Sequence, residues 1–389
     1  MLVGNLRHLR VFLKVAECGS VTKAAAAGFV SQPAVTQAIA KLEAAAGTPL
    51  FLRTPQGLFP TEAGGILQNR VARALARLDA GIGDIAPRLI VTATRSQLMA
   101  LIATAETQNF TLAAHRLGIA QPTVHRAVTS IEASGGRPLF HRSPVGVAPT
   151  RQALVLAGAA RLAFAELDQA VAELAELQGR EVGRIVIGSM PLSRSHILPR
   201  ALARFRQTRP TQAISVVDGV YDDLLDGLRR GEIDFLLGAL REPLPLEDVV
   251  QERLFDDILA ILAGPSDPLL RGEVTLAALR QRPWLVTRPG TPARSQFEAL
   301  FSDAGLALPA GLIETGSVIL MREMVSDGHH LACISKAQAA GEIDRGIVRE
   351  LPFPGDPIPR PIGLTHRADW QPTPAQRAMV EAIRAVFGP

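Results

Sequence analysis

The chain has 389 residues, of which 47% are hydrophobic and 20% are charged, a composition that excludes a disordered protein. The formal net charge of +4 is unevenly distributed: residues 1–180 carry 18 Lys and Arg against 11 Asp and Glu, or +7, and the rest carry 23 against 26, or −3. A basic front part suits nucleic acid, whereas the slightly acidic remainder suits another ligand.

Cysteine usage and hydropathy indicate the compartment. Cys18 and Cys333 are too few for a disulfide framework and lack zinc-ligand spacing. No apolar run approaches the ~18 residues that cross a membrane, and no basic segment with an apolar stretch opens the chain. We therefore expect a cytoplasmic protein without a metal site or membrane contact.

The first 60 residues predict three helices and a strand pair. An apolar stripe at helical spacing runs from Leu6 to Glu17, and a short helix follows from Val21 to Gly28. The third helix begins after Ser31, a good N-cap, and buries Val35 and Ile39. Its outward side chains both donate and accept hydrogen bonds, as reading a base edge in the major groove requires.

A wing follows the third helix. Residues 49–61 predict two short strands around a Pro-x-Gly turn. Arg53 at the edge of this wing is suited to a backbone phosphate, and Thr61 caps a long helix to about residue 80. The predicted DNA contacts of this segment are Ser31, Gln32, Pro33, Thr36, Gln37 and Arg53.

The whole pattern occurs again 89 residues later. Between Leu9–Gly64 and Leu98–Ala153, roughly 21 of about 56 positions are identical without insertion or deletion, far above a chance level of about one in fifteen. The repeat predicts two copies of one small domain rather than a solenoid, which needs more units. We place the copies at residues 1–88 and 89–180.

The second copy differs from the first in chemistry. His125 and Arg126 stand where the first copy has Thr36 and Gln37, and Ala120 replaces the N-cap serine, which predicts a helix start weaker by ~1 kcal/mol. His125 is either a pH-sensitive contact or an ordinary hydrogen-bonding side chain. The predicted DNA contacts of this copy are Gln121, Pro122, Thr123, His125, Arg126 and Arg142.

These features resemble the N-terminal winged helix-turn-helix of LysR-type transcriptional regulators. The resemblance covers residues 6–80 and again about 96–178, and family members usually carry one such module, so the second copy is a departure. The family commonly has a basic residue at the position of Gln37, which Arg126 keeps in the second copy. The motifs that carry the resemblance are Ser31-Gln32-Pro33-Ala34-Val35-Thr36, Leu42-Glu43, Pro49-Leu50-Phe51-x-Arg53 and Pro60-Thr61.

Residues 181–389 alternate strands with helices, which predicts parallel sheets flanked by helices. Four segments carry a family resemblance here: Gly188–Arg194, Leu198-Pro199, Tyr221–Leu225 and Gly231–Phe235. Through them this part resembles the effector-binding domain of the same family, a two-lobed fold like that of periplasmic binding proteins, and is most similar to the subgroup that includes the galactose-binding-protein regulator. The predicted strands are Arg184–Gly188, Ala213–Val217, Asp234–Gly238, Leu259–Leu262, Trp284–Thr287, Gly311–Glu314 and His330–Ile334, and the predicted helices include Ser195–Arg206 and Tyr221–Arg230.

Loops at the carboxyl ends of parallel strands are the expected effector site. The first is the predicted loop from Ser189 to Ser195, where the family also places effector contacts. An anionic or sugar-like metabolite suits these side chains. In the alternative, Ser193 and Ser317 are helix caps, and Arg194 and Arg294 are solvated or ion-paired if the ligand is neutral. The predicted effector contacts are Ser189, Met190, Ser193, Arg194, Thr291, Arg294, Gly316 and Ser317.

The predicted architecture is two tandem, all-α winged helix-turn-helix modules followed by an α/β two-lobed, periplasmic-binding-protein-like domain. It favours a ligand-responsive regulator that binds double-stranded DNA and needs no cofactor; in the alternative, one module binds DNA and the other is structural or a pseudo-dimerisation unit. An enzyme is disfavoured because no phosphate loop, nucleophile elbow or paired catalytic carboxylates occur. A secreted solute-binding protein is disfavoured by the front part.

Assembly follows from the duplication. The helices that begin at Thr61 and Thr150 each carry an apolar stripe that needs a partner. Because both lie in one chain, their encounter is intramolecular, at an effective concentration that reaches the millimolar range. We therefore expect them to pack on each other, and expect a homodimer, joined through residues 183–389, that presents four winged modules.

Overall fold

The computed structural model describes residues 2–83, 85, 87–144, 146–243 and 246–387. Val145, which lies in the predicted second wing, and residues 84 and 86, which lie between the predicted long helix and the second copy, are outside this description. The chain divides into two compact units, residues 1–184 and 185–389. Among the described residues, no helix combines the length and the apolarity that crossing a membrane requires.

In the first unit, three helices, a strand pair and a long helix follow one another twice. The first set consists of α1 (Leu6–Cys18), α2 (Val21–Ala27), α3 (Gln32–Ala46), β1 (Phe51–Thr54), β2 (Gly57–Pro60) and α4 (Glu62–Gly83). After α5 (Leu89–Thr92), the second set consists of α6 (Arg95–Thr107), α7 (Phe110–Leu117), α8 (Gln121–Gly135), β3 (Phe140–Ser143), β4 (Gly146–Pro149) and α9 (Arg151–Glu176). The bounds of α8, β3 and β4 equal those of α3, β1 and β2 displaced by 89 residues (121 minus 32).

Matching carboxylates hold the wings in both sets. Oε1 of Glu43 accepts hydrogen bonds from the backbone N–H groups of Leu50 (2.9 Å) and Phe51 (3.3 Å), which fixes the start of β1 against α3. Oε1 of Glu132 accepts two equivalent bonds, at 2.8 and 3.1 Å, at the start of β3. Glu43 and its equivalent Glu132 therefore have the same structural role in the two sets.

Matching glycines bring each wing close to the helix that begins its set. Gly57 and Gly146 open β2 and β4 with φ of 140° and 142°, a conformation open essentially to glycine. A Cβ at either position would collide with the carbonyl oxygen of Gly19 or Gln108. The next N–H along each strand donates to that same oxygen, at 2.9 Å in both sets.

The long helices α4 and α9 pack on each other along their lengths, as their apolar stripes predict. They run antiparallel, because Arg70 of α4 contacts Glu173 while Gly81, further along α4, lies beside Ala159. Their apolar residues join the core of the first set and part of the core of the second in one cluster, while Val124 and Val128 of α8 belong to a separate, smaller cluster. The members of the larger cluster include Leu67, Val71, Leu75 and Leu78 from α4 and Leu156, Ala160, Leu167 and Leu174 from α9.

Each linker also touches the end of the other set's third helix. Leu89 packs beside Gly135 at the end of α8, and Nε2 of Gln178 donates to the carbonyl oxygen of Ala46 at the end of α3 (2.7 Å). Residues 46 and 135, like 89 and 178, are equivalent positions of the two sets. The two sets are therefore related by an approximate two-fold axis.

The second unit contains two lobes, each built on a sheet. Its elements are β5 (Arg184–Ser189), α10 (Pro191–Ser195), α11 (Ile197–Thr208), β6 (Ala213–Asp218), α12 (Tyr221–Arg229), β7 (Phe235–Ala239), β8 (Val249–Asp257), β9 (Leu259–Ala263), α13 (Leu276–Arg280), β10 (Trp284–Val286), α14 (Pro292–Ser302), β11 (Leu312–Glu314), α15 (Val318–Ser326), β12 (Leu331–Ser335), α16 (Lys336–Asp344), β13 (Arg349–Leu351), β14 (Arg360–Arg367) and α17 (Pro374–Arg384). Within the described ranges, the strand orders are β6-β5-β7-β14-β8 and β11-β10-β12-β9-β13.

The prediction of parallel sheets is wrong for part of each lobe. β5 pairs parallel with β7, and β10 with β11 and β12, but β14 and β8 in one sheet and β9 and β13 in the other pair antiparallel. The physical reason is connectivity: the chain crosses from the first lobe to the second between β8 and β9 and returns between β13 and β14. Each sheet therefore receives one strand, β14 or β9, that runs against both of its neighbours.

The predicted loop from Ser189 to Ser195 is also wrong in detail. Residues 191–195 form the short helix α10, and the helix predicted from Ser195 is the separate α11. Pro191 occupies the first turn of α10, where its missing N–H costs little. His196, with φ −135° and ψ −52°, separates the two helices.

Candidate DNA interface and effector cleft

The side of α3 that is predicted to read bases faces solvent. Val35 and Ile39 are buried, and the hydroxyl of Ser31 accepts a hydrogen bond from the N–H of Ala34 (3.4 Å), so the predicted cap and core face are confirmed. The exposed residues of this side are Gln32, Pro33, Thr36 and Gln37. Their contact with DNA stays a prediction.

The equivalent side of α8 is also exposed, and two of its side chains, Arg126 and His125, make contacts with nearby residues. Nε of Arg126 donates to the carbonyl oxygen of Pro122 (3.3 Å), which holds the guanidinium along the outer side of the helix. The ring of His125 meets the ring of Phe110 edge-on, with centroids 5.1 Å apart. Ala120 provides no side-chain cap, as predicted. The exposed predicted contacts here are Gln121, Pro122, Thr123, His125 and Arg126.

The two wings carry their arginines in the same place but differ in their outer surface. Arg53 in β1 and Arg142 in β3 are exposed. Across the first wing, Leu52 pairs with Phe59, and their side chains are 57% and 50% exposed. The second wing pairs His141 with Ala148 at these positions. The first wing therefore presents an apolar surface that the second lacks.

Phe29, in the turn before α3, is a surface feature that the sequence analysis missed. Its side chain is 97% exposed and its φ is 52°, in the left-handed region that favours glycine. The equivalent residue of the second set is Gly118, with φ 65°. Aligning the copies at this turn was the available signal, because a glycine in one copy marks a left-handed position in both.

In the second unit, the predicted effector serines are buried. The hydroxyls of Ser189 and Ser193 lie 2.7 Å apart, and Oγ of Ser193 lies 2.8 Å from the carbonyl oxygen of Met190 and 3.0 Å from that of Leu237. The side chain of Met190 is also buried and packs over Gly238. Ser193 is thus not a helix cap; its hydroxyl ties the segment after β5 to β7.

The predicted arginines each have an ionic partner in their own lobe. Arg194 pairs with Asp218. Arg294 is 7% exposed, and its Nε and Nη1 lie 2.7 Å from Glu298 and Glu314. Ionic pairing, the alternative that the sequence left open for both arginines, is thus the arrangement present.

The remaining predicted contacts begin helices, and one of them reaches the other lobe. Thr291 and Ser317 cap α14 and α15 by accepting hydrogen bonds from backbone N–H groups at 3.2 Å. Gly316 lies next to Pro191: a Cβ on this glycine would be 3.9 Å from Cγ of the proline. The segment after β5 therefore meets the second lobe beside Ser317.

A buried ion pair joins the two crossings between the lobes. Asp257 at the end of β8 and Arg360 at the start of β14 form a salt bridge with side chains 1% and 7% exposed. The other carboxylate oxygen of Asp257 accepts a hydrogen bond from the N–H of Ala337 in α16 (3.1 Å). The helix α16 packs on α10. The ion pair at the two crossings is therefore connected, through α16, to the segment that carries the predicted effector contacts. This pair was not predicted from the sequence, because neither residue lies in a motif.

Comparison with known proteins agrees with these arrangements. The family described as LysR substrate binding domain matches residues 178–388, and the bacterial regulatory helix-turn-helix protein of the lysR family matches residues 6–65 and again 96–154. The HTH-type transcriptional regulator GalR of Pseudomonas putida is 35% identical over 388 residues, which cover 98% of this chain and 97% of that protein.

Two solved structures show the same fold at low identity. Full-length OxyR from Pseudomonas aeruginosa is 22% identical with a TM-score of 0.54, and covers 75% of this chain and 97% of its own. Full-length CbnR, complexed with its target DNA, is 22% identical with a TM-score of 0.52, and covers 75% and 99%. The chain is therefore a ligand-responsive, DNA-binding transcriptional regulator that belongs to the LysR family.

Proposed function

We propose that the chain contains two winged helix-turn-helix modules, both of which contact double-stranded DNA. We call α1–α4 with their wing the first module and α6–α9 with theirs the second. The observation that carries this proposal is the recurrence, at one constant offset, of an exposed third helix, a wing with an exposed arginine and the glutamate that joins them.

The length of the relatives supports the same proposal. OxyR uses 97% of its own chain to match 75% of this one, so about a quarter of this chain is additional, which is close to the share of one module. GalR, by contrast, matches almost the entire chain along almost its entire length.

One observation favours the alternative in which a single module reads DNA. The first module has Gln37 where the second has Arg126, and its wing exposes Leu52 and Phe59 where the second has His141 and Ala148. Fewer groups in the first module are suited to phosphates and bases. In that case the first module serves as the structural partner of the second.

We further propose that the cleft of the second unit binds an anionic or sugar-like metabolite through the predicted contacts, and we retain the galactose-binding-protein-regulator subgroup as part of this proposal. An anionic effector has to compete with Asp218 for Arg194, whose side chain is 33% exposed. The site needs no metal or cofactor, and the protein has no catalytic activity of its own and acts in the cytoplasm.

The proposed assembly is a homodimer that presents four winged modules. The long helices already cover each other within a chain, so association requires another surface. The second unit offers exposed apolar side chains on its edge strand β6 and on α15: Val216, Val217, Ile319 and Leu320. Burial of such patches between chains is favourable.

The wing arginines test whether both modules bind. The logarithm of affinity falls with the logarithm of salt concentration by about 0.9 for each neutralised phosphate. Arg53→Ala removes the wing arginine of the first module, and Arg142→Ala removes that of the second. If the affected module contacts DNA, the slope should fall by about one for each copy of that module on the DNA. If Arg53→Ala leaves the slope unchanged and Arg142→Ala lowers it, the single-module alternative is correct. A normal circular dichroism spectrum of each variant is the control for folding.

A further inference from the structure

The interface between α4 and α9 contains a buried ionic network. Arg70 is 2% exposed; its Nη1 lies 2.8 Å from Glu166 and 2.7 Å from Gln169, and its Nη2 lies 2.8 Å from Glu173. Arg73 and Arg77 contact the same Glu166 at 2.8 and 3.1 Å. Glu166 is itself only 5% exposed. The helices are thus joined by charge as well as by apolar packing.

The charges of this network are segregated. All its cations, Arg70, Arg73 and Arg77, lie on α4, and its carboxylates, Glu166 and Glu173, lie on α9. Displacing the cations by 89 positions gives Ala159, Leu162 and Glu166. The two helices occupy equivalent places in their modules, yet one presents three cations where the other presents two apolar residues and an acid.

This segregation has consequences for any pairing of like helices between chains. In an α4–α4 pair of the same antiparallel register, Arg77 of one chain would take the place of Glu166, so Arg70 and Arg73 would each exchange their contact with Glu166 for a cation. Only Arg70 would have an acid available in exchange for Glu173, because the sequence position equivalent to Glu173 is Asp84. In an α9–α9 pair, Glu166 would face Ala159 and Leu162, with no cation to pair with. Burying like or unpaired charges is strongly unfavourable. The apolar stripes alone impose no such choice, because both helices carry one.

We propose that this network is a pairing code, which means that its charges determine which helices pack together. The arginines of α4 favour packing against α9, of the same chain or of a second copy of this chain, and disfavour packing against a second α4. The inference rests on the proposal that α1–α4 and α6–α9 are paired modules. It concerns their assembly and not DNA binding. Its role is to keep the first module next to a second module in every assembly that the chain forms.

Complementary charge reversals in the full chain test the code. Variant A carries R70E, R73E and R77E, and variant B carries E166R and E173R. Alone, each variant has like charges across its interface, so pairing should weaken by about a hundredfold or more, and the first thermal unfolding transition should move to lower temperature. The single reversals E166R and E62R provide a control, because Glu62, in the first turn of α4, is exposed and lies outside the network.

Restored pairing distinguishes a pairing code from an interface that any change of charge destabilises. Co-expressed with different tags, A and B should be recovered as a mixed assembly with the thermal transition restored, because each α4 now fits the other chain's α9. One chain that carries all five reversals should restore the transition by itself. The proposal is overturned if A and B alone unfold like the wild type, or if neither the mixture nor the five-fold variant recovers. These readouts are unfolding temperature and mass, so a failure of DNA binding does not affect them.

Discussion

The two modules have the same fold and different surfaces. Residues that build the fold are kept in both: Glu43 and Glu132 hold the wings, and Gly57 and Gly146 allow the close approach of each wing to its first helix. Residues on the outer sides of α3 and α8 have diverged. The comparison teaches that folding and recognition are carried by separate sets of positions, so one set can change while the other stays.

The interface between the modules also differs between the two copies, and breaking it should have the largest effect. Arg70→Ala removes the partner that Glu166 and Glu173 share: Glu173 loses its contacts with Arg70, whereas Glu166 keeps Arg73 and Arg77. We expect the free energy of unfolding of the first unit to fall by about 3 kcal/mol, the lower end of the range for breaking a buried ion pair, measured by urea denaturation. Arg151→Ala, at an exposed position of α9, should change it by less than about 0.5 kcal/mol; similar losses for the two variants would contradict this account.

The same interface should be sensitive to acid. Burial raises the pKa of Glu166, but hydrogen bonds from Arg73 and Arg70 outweigh it, and the net pKa lies below the ordinary 4.5. Because the folded-state pKa is depressed, its contribution to stability is present above pH 4.5 and is lost as the pH falls through the lower folded value. Glu166→Gln should therefore flatten the dependence of the first unit's stability on pH in this acidic range, which pH-dependent urea titrations would detect.

The shared positions should respond alike in both modules. Glu43→Ala and Glu132→Ala each leave two backbone N–H groups without their carboxylate acceptor. We expect each substitution to lower the free energy of unfolding by about 1.5–3 kcal/mol. A loss in one module only would show that the two wings are held differently.

The diverged recognition surfaces should respond differently. Arg126→Ala should reduce discrimination at one base pair by about 1–3 kcal/mol, since arginine suits a bidentate contact with guanine. Affinity measured on a set of single-base operator variants tests this expectation. A uniform loss across all sequences would assign Arg126 to a phosphate contact instead.

The helix caps give the smallest expected difference. Ser31 caps α3, whereas Ala120 leaves α8 without a side-chain cap. Ala120→Ser should raise the free energy of unfolding, and Ser31→Ala should lower it, by about 1 kcal/mol each. If neither substitution changes the free energy of unfolding, water caps these helices as well as a serine side chain does.

Most of the first unit could be predicted because its signals are local. The repeat, the caps and the helical spacing predict α3 and α8 within one or two residues. The ionic network could not be predicted, since a charged residue such as Arg70 on a long helix ordinarily faces solvent. Its burial depends on which helix becomes the partner, which no local pattern encodes.

The second unit was predicted less completely for a related reason. β14 contains Arg360, Thr365 and Arg367, all of them buried. Its sequence therefore lacks the continuous run of apolar residues that identifies the parallel strands. The orientation of the Ser193 hydroxyl depends on Leu237, a residue far away in the sequence. Long-range partners of this kind decide whether a polar side chain lines a cleft or stabilises a segment.

The central claim is that both modules of one chain contact DNA, and nucleotide-resolution footprints test it most directly. Full-length wild type, the first-module variant T36A/Q37A and the second-module variant R126A would be compared on the protein's own upstream DNA. Our account predicts that each variant loses protection over a different part of the site while keeping the remainder. If R126A abolishes the footprint and T36A/Q37A leaves it unchanged at every nucleotide, the first module does not read DNA and the claim is contradicted.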